Sequence, residues 1–210
     1  MKSSVIVIGA HPDDIELGCG ATLMKHIVDG IDVYAVVLTS GDKGNRIGYS
    51  RKEETYSALQ YLGVSGIFLF DYTDTKLSED IGKASASLEE LLRSFNLRGI
   101  EFEKAYIMSR EDRHQDHRAA HDISVVACRK VPQVFCYETP SSLDCFSPNL
   151  YQKIDEKLLA GKIAAIKMHY SQSHKDYMME KRIRASAIFR GMQAGVDLCE
   201  AFVVHKMVLK

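Results

Sequence analysis

The 210-residue sequence has no apolar run of about 18 residues, so it predicts no membrane-spanning helix. It has no CxxC pair either. Cys19, Cys128, Cys136, Cys145 and Cys199 are scattered, which forms neither a structural zinc pattern nor a disulfide framework and suits reduced thiols in a cytosolic protein. Neither sign of charge is in excess. A formal net charge of −1 argues against a nucleic-acid-binding surface as the main business of the chain. Internal repeats and low-complexity segments are missing, and the start MKSSVIVIGAHPDD is too short and too soon acidic for a signal peptide, so a cytoplasmic location is expected. The zincin HExxH is absent, and Gly18-Cys19-Gly20 does not fit the dinucleotide fingerprint G-x-G-x-x-G, so these glycines are expected to let a helix start pack closely.

What is present is ordinary globular composition, 46% hydrophobic and 26% charged, with a length that suits one domain over residues 1–210. Strand and helix patterns alternate. Apolar runs at 3–9, 32–40, 66–71, 104–109, 133–139 and 200–207 read as strands, the first two apolar on both faces as parallel sheets require. Between them, 17–30, 51–62, a helix marked by Leu88, Leu91, Leu92 and Phe95, 115–130, 154–168 and 175–192 read as helices. Ser50 with Glu53 forms a capping box at the second of these. The alternation predicts an α/β fold, a doubly wound, mainly parallel sheet flanked by helices in the Rossmann-like manner, with ligands at the carboxyl ends of the strands.

Two acid–histidine clusters fall at that edge. His11-Pro12-Asp13-Asp14 follows the first strand, and His114-Gln115-Asp116-His117, with His121 one turn on, follows the fourth. Adjacent carboxylates repel and lose solvation near a sheet edge, so they need a use. Taken singly, HPDD can be a turn and HxDH a solvated helix start. Together they offer a mononuclear metal site: His11 and Asp14 from one tight loop, a third ligand from His117 or His114, and Asp13 to take a proton from water. Two histidines and a carboxylate suit zinc and iron(II) alike. A receiver-like domain, with an acidic pair on the first strand and Asp71 ending the third, is the non-catalytic rival; its oxygen-only magnesium site has no use for His11 or His117. Tyr137 and Glu138 are candidates for the pocket wall, and Arg190 for its lining. His26, His169, His174 and His205 read as surface or satisfied histidines, with His174 nearest a candidate substrate segment.

GAHPDDIELGCGAT resembles the signature of the PIG-L/LmbE-like zinc-dependent deacetylases. Arg51 with Glu54, Ala58 and Leu62-Gly63-Val64 resembles the helix of that family; Asp74 before Leu77 its turn, with Thr75 in place of Gly; and His114 to Ala120 its H-x-D-H-x-x-A. Lys162, Ser171-Gln172, Arg190-Gly191 and Glu200-Ala201-Phe202 resemble its later landmarks. The resemblance implies removal of an acetyl group from an N-acetylglucosamine-type sugar conjugate, with Zn2+ (or Fe2+) held by His11, Asp14 and His117. A thiol-sugar amidase is the alternative leaving the site unchanged. The resemblance further implies Asp13 as general base, His114 oriented by Asp116 as oxyanion partner and proton donor, and Arg51 and Asp74 on sugar hydroxyls. A carboxylate beside His114 is expected to keep its imidazole protonated to higher pH. The tyrosine that assists some members has no counterpart before His114, where Asp112 and Arg113 stand. A small amino-sugar substrate is the partner implied, and a homo-oligomer is compatible with the sequence.

Overall fold

The computed structural model describes residues 4–46 and 48–209. Among these, seven strands form one sheet in the order β3-β2-β1-β4-β5-β7-β6. The strands are β1 (Ser4–Gly9), β2 (Asp32–Thr39), β3 (Gly66–Tyr72), β4 (Phe102–Met108), β5 (Gln133–Tyr137), β6 (Leu150–Lys153) and β7 (Cys199–Met207). The first five run parallel, with Val5 opposite Val33 on one side of β1 and Lys104 on the other. β7 runs antiparallel to both β5 and β6. The expected α/β class and mainly parallel sheet are therefore present.

Helices α1 (Asp14–Val28), α2 (Arg51–Leu62), α3 (Ile81–Leu97), α4 (Gln115–Ala127), α5 (Glu156–Ile166) and α6 (Glu180–Ala194) cover the sheet. α1 packs on α2 and α5, while α3 packs on α4. Right-handed crossovers account for this division: the chain moves from β1 outward to β2 and β3 under one layer, then returns to β4 under the other. Val5, Ile6, Val7 and Ile8 of β1 are wholly buried between the layers, which is why this strand has no polar alternation. Ser50 caps α2 by accepting the Glu53 backbone N–H at 3.3 Å, as its spacing with Glu53 predicts.

Three local differences from the sequence reading matter for the site. α1 starts at Asp14 rather than residue 17, because Asp13 takes a left-handed conformation (φ 96°) that ends the loop and turns the chain into the helix at once. α6 starts at Glu180 rather than residue 175, leaving short 3₁₀ turns at 170–172 and 176–178 over the sheet edge. β6 is an additional strand of four residues that pairs only with β7. Among the described residues, no helix is long and apolar enough to cross a membrane.

The order reverses between β1 and β4: the chain leaves β1 toward β2 and re-enters on its other side. Parallel sheets bind ligands in the crevice at such a switch point. His11 to Asp14 follow β1 and His114 to His117 follow β4, so both clusters lie there.

Candidate metal centre

The loop after β1 is tied down by its own residues. Asp14 Oδ2 accepts the His11 backbone N–H at 2.7 Å and lies 3.3 Å from His11 Nδ1. Its other oxygen, Oδ1, lies 3.3 Å from His117 Nε2, contributed by the first turn of α4. One carboxylate thus faces two imidazoles from two strand ends.

Each imidazole has a carboxylate behind its far nitrogen. His11 Nε2 lies 3.1 Å from Asp116 Oδ2 and 3.2 Å from Asp74 Oδ1. His117 Nδ1 lies 3.0 Å from Asp112 Oδ2. Metal-bound histidines characteristically donate their second ring N–H to a carboxylate, which fixes ring orientation and tautomer. The donor set therefore fits a divalent cation near the inward nitrogens and Asp14. Donor atoms of His11, His114 and His117 all lie within 4.8 Å of one another, and so do those of His11, Asp74 and Asp116. The second group is already committed: Asp116 accepts from the backbone N–H of Thr75 at 2.6 Å and Leu77 at 3.2 Å, and Asp74 from that of Lys43 at 2.8 Å. Asp74 and Asp116 hold loops and back His11.

Charge in this buried cluster follows from these contacts. Burial would lower the His11 pKa, but Asp116, Asp14 and Asp74 outweigh it and hold it well above the usual histidine range. Burial is likewise overcome at His117, raised to about 9 by Asp14 and Asp112. Asp14 is held well below the carboxylate range, burial being outweighed by His117 and His11. Asp13 behaves oppositely. Burial raises it to about 6, with the repulsion of Asp14 added and the Arg51 guanidinium opposing.

Arg51, at the start of α2, donates from Nη2 to Pro12 O at 2.5 Å and Asp13 Oδ2 at 3.2 Å, and from Nη1 to Gly41 O at 2.9 Å. It is buried, and these bonds tie its guanidinium to the loop and to Asp13. Arg51 and Asp74 both line the cleft, with Asp13, Lys43, His114, Ser141, Lys175 and Tyr177 also around it.

His114 differs from expectation. Its Nδ1 accepts the backbone N–H of Asp116 at 3.2 Å, while the Asp116 carboxylate turns away to His11 and the Thr75 turn. Asp116 thus orients His114 through its main chain. The pKa of His114 is lowered, not raised, first by burial and then by the charges of His11 and His117. An imidazole that accepts at Nδ1 carries its proton at Nε2.

Tyr137 is no wall residue: it is fully buried, its hydroxyl donates to Ile8 O at 2.8 Å, and its ring fills the space a Cβ on Gly18 would need. The expectation for Gly18 is thereby met in kind. Arg190 is paired with Glu138 at 2.5 Å. His26 and His169 are buried against Tyr106 and Glu16, whereas His174 is exposed and absent from the cleft lining. Asp71 is exposed on β3, away from the cleft, where a receiver-like site would need it. Sequence reasoning missed Asp112, although it stands two residues before His114, and Tyr177, which no motif marks. It also missed the buried ties behind the landmarks. Glu54 accepts from the Ser171 hydroxyl and N–H, and Glu200 pairs with Lys162 at 2.6 Å while accepting from Ala21 and Thr22 N–H where α1 kinks at Cys19.

Comparison with known proteins bears on the family and the fold. The chain is 38% identical over 170 residues, 81% of it and 92% of the other, to a protein of Escherichia coli K12 named "Uncharacterized deacetylase YaiS". It is 27% identical over 216 residues to the diacetylchitobiose deacetylase of Thermococcus kodakarensis, covering 91% of this chain and 79% of that one. Its fold matches the conserved protein TT1542 of Thermus thermophilus with a TM-score of 0.83 and 28% identity, over 98% of this chain and 96% of that one. The family model described as PIG-L, GlcNAc-PI de-N-acetylase, matches residues 6–128, a span that runs from β1 through α4 and holds both acid–histidine clusters, and the chain belongs to that family.

Proposed function

We propose that this protein is a hydrolase that removes an acetyl group from an N-acetylglucosamine-type conjugate, with a divalent cation, zinc or iron(II), held by His11, Asp14 and His117. The observation that carries the reading is the pair of carboxylate-backed imidazoles, Asp116 and Asp74 behind His11 and Asp112 behind His117, converging on Asp14. Membership of a de-N-acetylase family and likeness to a diacetylchitobiose deacetylase support the substrate class. When bound, the cation supplies Lewis acidity, which withdraws electron density from an amide carbonyl and acidifies water.

The chain's own groups supply the rest. Asp13, ionised above about pH 6, takes the proton of the attacking water, and Arg51 fixes the direction of its carboxylate. His114 presents Nε2–H to the carbonyl oxygen as negative charge builds there. The C–N bond then breaks, the proton held by Asp13 passes to the amine nitrogen, and acetate and a free amine leave. Asp74 and Arg51 line the β2 and β3 side of the cleft and would meet sugar hydroxyls, Arg51 with the limited donor capacity left by its ties to the loop.

Incubation with N-acetylglucosaminyl conjugates tests this directly. Acetate and free amine should appear in equal amounts from at least one conjugate; release from none, or amine without acetate, contradicts it.

A further inference from the structure

A second cavity lies beside the cleft. It has a volume of about 350 Å³, inside the range of about 300–1,000 Å³ usual for small-molecule sites. Leu17, Pro140 and Tyr177 line both spaces, so the two share a wall. From that wall the cavity runs beneath α5, α6 and β7, over Ile154, Leu159, Ile183, Ala187 and Ala201.

Its charges are paired. The charged residues lining it are each in an ion pair: Lys162 with Glu200 at 2.6 Å, Asp176 with Arg182 at 2.7 Å, and Glu138 with Arg190 at 2.5 Å. No net charge is left to read an ionised ligand, and apart from the Ser186 hydroxyl and the Cys199 thiol the lining offers mainly apolar contact. The sheet order sets the direction. Lys43, Asp74 and Thr75, at the ends of β2 and β3, put hydrogen-bonding groups on one side of the acid–histidine centre. The cavity lies on the other side, beside the end of β5 and the start of β7. An amide bound at the centre has a hydroxyl-rich sugar on its nitrogen and an alkyl group on its carbonyl carbon. The polar side suits the first and the apolar cavity the second.

We infer that this cavity receives the acyl chain of the substrate, so that the protein hydrolyses N-acyl amino sugars with acyl groups longer than acetyl. The inference rests on the N-deacylase reading above and extends it to the acyl side. Leu17, Tyr177, Ile183 and Ala187 then determine chain length. Each methylene moved from water into such a cavity is worth about a fourfold gain, the equivalent of about 0.8 kcal/mol.

The test is kcat/KM for N-acetyl, N-butanoyl and N-hexanoyl forms of one glucosaminyl conjugate, using the metal-loaded protein. Wild type should gain with chain length. Ala187→Leu, which fills the cavity, should cut hexanoyl turnover at least tenfold and leave acetyl turnover within twofold; Ile183→Ala, which enlarges it, should shift preference toward the longer chain. Acetyl hydrolysis with no hydrolysis of longer chains overturns the inference while the deacetylase reading stands. Equal losses on all chains in Ala187→Leu, or a dependence on the size of the aglycone instead, also overturn it. If no amide is cleaved, acetyl included, the deacetylase reading itself fails. Sodium hexanoate binding, followed by calorimetry, is a readout free of turnover: binding by wild type that is lost in Ala187→Leu supports an alkyl site, and its absence from wild type overturns the inference.

Discussion

Asp112 holds His117 from behind, Oδ2 lying 3.0 Å from Nδ1 on the side of the ring away from Asp14. Asp112 is itself fixed by the hydroxyls of Thr139 and Ser141, each donating at 2.6 Å. Its pKa sits below the carboxylate range because these bonds and the His117 imidazole outweigh burial. Asp112→Asn keeps the shape and removes the charge. Metal affinity should fall about 10–100-fold, with activity recovered at excess cation. Metal titration of the stripped variant measures this; unchanged affinity would mean His117 is not a ligand.

In the proposed reaction Asp13 should set the acid side of the rate profile. Its carboxylate is raised to about 6, so the proton-accepting form dominates above that pH and is lost below it. Turnover should climb between about pH 5 and pH 7. Asp13→Asn should lower it by about 10²–10⁴-fold at unchanged metal content. Arg51→Met removes the cation that opposes protonation, so its acid limb should move to higher pH; a limb that stays in place would clear Arg51 of that role.

Burial, then the charges of His11 and His117, lower the pKa of His114, which favours its neutral form. His114→Ala should lower turnover, keep the metal, and leave the basic side of the profile where it was. A displaced basic limb would show that His114 works as a standing cation instead.

Lys162 and Glu200 form a buried pair joining α5 to β7, and Glu200 also caps the kink of α1. Lys162→Met strands the Glu200 carboxylate. Chemical denaturation near neutral pH should show a loss of about 3–5 kcal/mol. A loss under about 1 kcal/mol would mean that the two backbone N–H groups satisfy Glu200 alone.

Much of this was legible because the chemistry is contiguous. His11 and Asp14 share one loop and His114 and His117 one helix start, and an apolar run before each marks the strand that carries it. Strand direction was not legible: the first half of β7 is buried like a parallel strand, and hydrophobic pattern carries no sense of direction. β6 escaped because Leu150–Lys153 is short, partly polar and paired only at the edge. Asp116 meets His114 through its backbone and not its carboxylate for a tertiary reason. Its spacing of two from His114 suggests a side-chain contact, yet its carboxylate serves His11, 105 residues away, and a turn at Thr75 that sequence cannot bring near. Asp112 was overlooked because its partner Thr139 arrives from the end of β5.

Titration of zinc into chelator-stripped protein, with acetate release from an N-acetylglucosaminyl conjugate followed in the same samples, bears most directly on the proposed centre. Binding should saturate at one ion per chain, acetate release should return at that same equivalence, and His11→Ala, Asp14→Ala and His117→Ala should each show neither. Full acetate release from protein that retains no metal, or undiminished binding in all three variants, would contradict it.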